Sequence, residues 1–384
     1  MGEPPAYSSR MLWMYAGFIV LILILLALDL GVFHRTAHVV SVREALRWSG
    51  FWIGLGLAFA AFIYFGYERH WLGLGLTPDL MTIAPHTVEG VGLVYNDGTS
   101  ATVKYITGYL VEKSLAVDNI FVIAMLFGFF AVPAIYQHRV LFWGIVGALV
   151  MRGAMIAVGG QLIQRFTWII YVFGAFLIVT GIKMLLLKTD ATDPNRNLVV
   201  RLTRRLFPVT ERFHGEHFFV RAGSVASLKA ATPGAVVEID QVVAGARRGA
   251  LLATPLFLAL VMVEFTDLIF AIDSIPAVFA ITGDPFLVFT SNVFAILGLR
   301  SLYFALAGMI DKFRYLKVSL AVVLMVVGAK MMTHVWLKTL VGQHFNLYLL
   351  AVVLLILAAG VGASLLASRR ERAKKDSVVR PNAA

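Results

Sequence analysis

Nine stretches of this 384-residue chain are apolar over lengths close to the roughly 20 residues a helix needs to cross a bilayer's hydrocarbon core. They lie near 11–30, 51–69, 104–128, 140–161, 167–187, 251–273, 287–308, 316–335 and 346–367. The pattern predicts an all-α polytopic membrane protein with about nine transmembrane helices. The first stretch has one Arg before it, a basic cluster after it and no small-residue cleavage site, so it reads as a span and not as a cleaved signal peptide. Hydrophobic residues make up 59% of the chain and charged residues 14%, against roughly 45–50% and 25% in an ordinary soluble domain. A soluble globular fold is excluded. Cysteine is absent, which removes disulfides, thiolate metal sites and thiol nucleophiles.

The net charge of +11 would suggest nucleic acid in a soluble protein. Here its placement speaks of membrane orientation instead. With the N-terminus outside, the inner segments (31–50, 131–139, 188–250, 309–317 and the tail from 368) hold 23 Lys and Arg. The outer ones hold Arg10, Arg69, Arg165 and Lys338, with Lys104 at a boundary. Positive-inside bias then predicts an outer N-terminus and a cytoplasmic C-terminus. The basic tail SRRERAKK meets anionic headgroups. Segment 188–250 is the one sizeable polar piece; FFVRAG within it reads as a short strand. Its HGEH cluster (His214, Glu216, His217) lacks the usual spacing of a four-ligand metal site.

The third and sixth spans resemble each other. EKSLAVDNIFVI (112–123) and DLIFAIDSIPAV (267–278) share Ala, Asp and Ile, with five further conservative pairs. The correspondence continues: Arg152 in span four matches Arg300 in span seven, and GIKM (181–184) in span five matches GAKM (328–331) in span eight. Three helices per repeat is an odd number, so the second copy is reversed in the bilayer. The chain therefore divides into an N-terminal two-helix region (1–103), repeat A (104–187), a cytoplasmic loop (188–250), repeat B (251–335) and a last span with its tail (336–384). An inverted 3+3 repeat with acids near mid-membrane is a recurrent plan of secondary transporters.

Glu112, Asp118, Glu264, Asp267 and Asp273 all fall inside spans, where each carboxylate costs roughly 2.5–3.5 kcal/mol at the helix centre on insertion scales. A chain keeps such groups when they face a polar interior. Arg152 and Arg300, central in their spans, are the expected counter-charges. Glu112 and Asn119 share one helix face, as do Asp267 and Ser274, with Glu264 one turn earlier. Pro276 predicts an interruption of span six beside Asp273, freeing carbonyls as further ligands. Carboxylates with the oxygens of Asn119 and Ser274 make a negative, all-oxygen site that suits hard divalent cations. Neighbouring carboxylates with split pKa values could exchange protons for the cation.

LDLGVFHR (28–35), VEKSLAVDNIFV, ATPLFLALVMVEFTDLIFAIDSIPAVFAIT and DPFLVFTSNVFAILGLRSLYF resemble the signatures of the TerC/Alx family of integral membrane proteins. The resemblance implies a transporter fold related to the LysE superfamily, manganese export and a link to tellurite resistance. It also implies metal-binding roles for Glu112, Asp118, Asn119, Glu264, Asp267, Asp273 and Ser274. The cation is then a transported substrate, with no resident cofactor, no catalytic residue and no nucleic-acid partner. The bilayer is the main partner, and a homo-oligomer is compatible with this plan. Two competing functions stand beside it: a tellurite-resistance or envelope-stress component acting by contacts alone, and, more remotely, an intramembrane aspartyl protease using Asp118 and Asp273.

Overall fold

A computed structural model describes residues 7–31, 41–82, 85–186, 198–222, 242–243, 246–247, 249–306, 316–341 and 345–379. The long helices are α1 (Tyr7–Gly31), α2 (Val42–Glu68), α3 (Gly98–Phe129), α4 (Ala134–Arg165) and α5 (Ile169–Leu186). A short α6 (Leu198–Leu206) precedes α7 (Pro255–Phe279), α8 (Pro285–Ile296), α9 (Leu299–Leu306), α10 (Leu316–Val341) and α11 (Phe345–Val379). Six of these are long and apolar enough to cross a membrane, and the bent pair α8–α9 makes a seventh. The protein is a polytopic all-α membrane protein. Side-chain distribution agrees: Trp13, Val150, Val158 and Leu355 are exposed, while Lys104, Glu112, Arg152 and Asn292 are buried. In lipid, that inversion puts apolar groups against the tails and polar groups against each other.

Helix starts follow local chemistry. The Ser41 hydroxyl accepts from the N–H of Glu44, Asp97 accepts from Ser100, and Asp284 accepts from Phe286 and Leu287. Each satisfies first-turn donors that have no partner within the helix. Pro255 and Pro285 open α7 and α8, where their missing N–H costs nothing. Two small antiparallel hairpins accompany the helices. One pairs His86–Val88 with Gly92–Val94, and the other pairs Phe219–Arg221 with Leu251–Ala253. The second ties Phe219–Arg221 to the entry of α7.

Helix α3 runs through the middle of the bundle, packed on α2, α7 and α8, while α4 lies against α7 and α5 against α10. The α5–α10 contact is a backbone approach. A Cβ added at Gly328 would stand 2.7 Å from the Gly174 carbonyl, and one at Gly174 would stand 3.0 Å from that of Gly328. One at Gly181 would stand 2.7 Å from the Ala321 carbonyl. Only small residues permit this spacing between membrane helices.

The expected interruption at Pro276 is not there. Helix α7 continues through Pro276 to Phe279, because the proline lies in the last turn and removes one hydrogen bond only. The break falls instead in the seventh predicted span. Helices α8 and α9 meet at 41°, around Gly298 at φ +78°, a backbone region that favours glycine. A side chain at Gly298 would also collide with Trp52 of α2, since a Cβ added there would stand 2.5 Å from the tryptophan Cβ.

Candidate functional site

Helix α3 carries Glu112 to the centre of the bundle, α7 brings Asp267 and Ser274, and α4 inserts Arg152 between them. Arg152 donates from Nη1 to Glu112 Oε1, and holds Asp267 in a fork, Nε to Oδ2 at 3.2 Å and Nη2 to Oδ1 at 3.0 Å. Nη1 also lies 3.3 Å from Ser274 Oγ and from Asn292 Oδ1. One guanidinium thus bridges two carboxylates from different halves of the chain. The planar fork suits a guanidinium and not an ammonium. Glu112 is fully buried and Asp267 keeps 17% exposure. That exposure opens on a cavity lined by Ala116, Asn119, Ile123, Leu141, Val263 and Leu299. The cavity lies toward the end of the bundle where α3 finishes and α4 and α7 begin.

The other predicted residues are distributed around this cluster. Asn119 lines the cavity. Glu264 lies against Gly147 of α4, where any larger side chain would displace it, and its Oε2 has no hydrogen-bond partner among the described residues. Asp273 is turned away, accepting from Thr180 of α5 at 3.3 Å. The Asp118 side chain lies outside the described residues. Arg300 pairs with Asp29 of α1 at 2.9 Å. The carbonyls expected at a break beside Asp273 are found at the end of α8, where Lys113 Nζ caps those of Ala295 and Leu297 at 3.0 and 3.1 Å. Among the described residues, no three acidic or histidine side chains converge on a point fit for a metal ion. In the HGEH segment, Glu216 pairs with Arg139 at 3.1 Å.

Two features escaped sequence reasoning. Asn292 belongs to a Thr290–Ser291–Asn292 run, buried throughout; three polar residues inside an apolar span were the available signal. The other is a buried polar latch at the opposite end of the bundle. Asp79 accepts from Lys104 Nζ at 2.9 Å, from Asn96 at 3.1 Å, from Thr282 at 2.7 Å and from the N–H of Gly283 at 2.7 Å. Lys104 also reaches Thr82, and Tyr67 donates to Asp284 at 2.9 Å. Burial alone would raise the Asp79 carboxyl, but the Lys104 ammonium and these donors hold it well below the usual carboxylate range. For Asp284, burial and the nearby Asp79 charge win over the Tyr67 hydroxyl and the N–H groups of Phe286 and Leu287, pushing it up to about 6. The latch joins the α2–α3 segment to the α7–α8 turn and covers this end.

Charged residues paired inside a bundle of lipid-facing helices define a multi-pass integral membrane protein with a polar intramembrane cluster. Residues 97–372 match the model of the integral membrane protein TerC family, and the chain belongs to that family. An uncharacterized membrane protein of Myxococcus xanthus is 44% identical over 365 residues, 95% of each chain. The Alx proteins of Salmonella typhi and Escherichia coli K12 are 41% and 40% identical over 352 residues, 90% of this chain and 94% of theirs. Their names suggest a membrane-bound redox modulator. No solved structure matches the chain.

Proposed function

We propose that the protein is a secondary transporter that exports a hard divalent cation, chiefly Mn²⁺, across a bacterial-type inner membrane. The observation that carries this reading is Arg152 spread across Glu112 and Asp267 beside a small cavity. These acids occupy matching positions in the two repeats, so the site lies where the halves meet. An arginine seated on two carboxylates is a tethered substitute for a divalent cation. On this reading the described arrangement is the cation-free state, and a cation arriving through the cavity displaces the guanidinium from Asp267 first.

Nine spans and an inverted repeat belong to the same proposal. Helix α3 has 32 residues but carries Lys104, Glu112, Lys113 and Asp118, and the apolar part of α10 covers only Val318–Thr333. Both lie within the bundle, where neighbours supply partners for such groups. Reciprocal contacts support the repeat. GIKM and GAKM make Gly181 equivalent to Gly328, and seven residues earlier Gly174 equivalent to Ala321. Gly174 touches Gly328 and Gly181 touches Ala321: each position meets the other's counterpart, as across a two-fold axis. Likewise α3 packs on α8 and α7 on α4.

The relatives' names favour a second reading, in which the protein modulates membrane redox state. Without cysteine this chain cannot run thiol–disulfide exchange itself. Cellular metal content by elemental analysis, with and without expression and across several added metals, separates the two. The transport reading requires a specific fall in one divalent metal, abolished by Asp267→Asn. A redox or scaffold role predicts unchanged metal content.

A further inference from the structure

Arg152 and Arg300 match in sequence, yet they do opposite things. Arg152 holds both Glu112 and Asp267, which are themselves equivalent positions, whereas Arg300 is paired with Asp29 of α1, a helix outside both repeats. A pair of acids lying on the pseudo-two-fold has room for one guanidinium at a time. Either arginine has the same symmetry claim on it.

We propose that the two arginines occupy the Glu112–Asp267 pair alternately, and that Asp29 is the carboxylate that holds Arg300 aside in the described state. The proposal rests on the inverted-repeat transporter reading. Three further observations support it. Leu299 lines the cavity beside Arg152 and Asp267, and Arg300 is the next residue, about 100° further round the helix. Turning α9 would therefore bring Arg300 to the cavity. The means for that turn lies two residues back, at Gly298 with φ +78°, while α4, which carries Arg152, is unbroken. Lys113 caps the carbonyls exposed at this joint, so the break is satisfied without fixing α9 to α8.

Symmetry also says what the exchanged state looks like. The cavity is lined by Asn119 and Ile123 of α3. Their counterparts in α7 are Ser274, which meets Arg152, and Val278, one turn before Thr282 of the latch; both are buried. Transfer of the acid pair from Arg152 to Arg300 should close the present cavity and open the bundle at Val278, on the latch side. Asp29 is thus a positioning residue, which sets the balance between two states without touching substrate.

The test is latch-side accessibility in nanodiscs, where both faces meet the reagent and no metal is added. A single Cys is introduced at Ile281, fully buried beside the latch, in a chain with no native Cys. Asp29→Asn should accelerate maleimide labelling about fivefold or more, by releasing Arg300 to the acids. Arg152→Gln should do the same by vacating them. Adding Arg300→Gln to either background should return labelling to the slow rate. Should Asp29→Asn aggregate, the Arg152→Gln pair decides alone. Labelling that stays fast after Arg300→Gln would show simple loosening and overturn the exchange, as would unchanged labelling in monodisperse Asp29→Asn and Arg152→Gln. Because the readout needs no cation, a failure to move Mn²⁺ would remove the substrate assignment and leave the exchange standing.

Discussion

At the scale of single residues, the Arg152 cluster makes two kinds of substitution separable. Removing the guanidinium breaks one intramembrane ion pair whether or not Arg300 takes its place, since Arg300 then leaves Asp29 uncompensated, and breaking such a pair costs about 3–5 kcal/mol. Arg152→Gln should therefore melt early in detergent, and adding Glu112→Gln should recover much of the loss, since one buried charge is then gone. A double-mutant cycle by thermal unfolding measures this; strictly additive losses would mean the two groups are not coupled. Acid-to-amide changes speak to transport. Asp267→Asn and Glu112→Gln should cut metal efflux about tenfold or more at normal expression, since neutral side chains are cheaper in the membrane. Asp273→Asn, turned toward Thr180, should have the smaller effect. Efflux measured side by side ranks them, and a stronger effect at Asp273 would relocate the site. The sequence made Glu112, Asp267 and Arg152 legible because intramembrane charge is costly. It could not say which arginine met which acid. Asp29 was passed over although LDLGVFHR contains it, because a carboxylate one residue from the end of a predicted span looks like a boundary group.

At the scale of elements, the α5–α10 contact and the latch each make a prediction. A valine at Gly328 would force its side chain into the Gly174 carbonyl, so Gly328→Val should lower thermal stability and yield. Gly17→Ala, with nothing within 4 Å, should do neither. Equal tolerance at both positions would contradict the close approach. In the latch, Asp284 is raised to about 6, so the folded state holds its proton more tightly than the unfolded chain does. Its contribution to stability is therefore greatest below the ordinary carboxylate range and falls as pH rises to about 6. Asp79 is shifted the other way and stays ionised across that interval. Melting temperature should thus fall between pH 4 and pH 6.5 by a component that Asp284→Asn removes. A melting profile unchanged by that substitution would dismiss Asp284 as its source. The latch was illegible in the sequence because Thr282 lies 203 residues along the chain from Asp79, and the stretch between the second and third spans reads as a solvated loop. Pro276 misled for a different reason: a proline near a helix end tolerates continuation, whereas Gly298, unremarkable in an apolar run, makes the actual joint.

Across the whole molecule, the hydropathy pattern made the membrane helices legible, because it is written as local strings. Which end of the bundle is closed depends on contacts between distant segments and needed coordinates. Orientation rests on the distribution of Lys and Arg. Reporter fusions at residues 215 and 375 should both report from the cytoplasm, and either one reporting from outside would reverse the direction assigned to transport. The central claim is that Glu112 and Asp267 carry a divalent cation across the membrane, and purified protein in liposomes tests it most directly. With a metal-sensitive dye inside the vesicles and an imposed pH difference, the wild-type chain should move Mn²⁺ at a rate that follows the pH difference. Asp267→Asn, reconstituted at the same density, should not. Mn²⁺ movement that is absent in the wild type, or identical in the two proteins, would contradict the account.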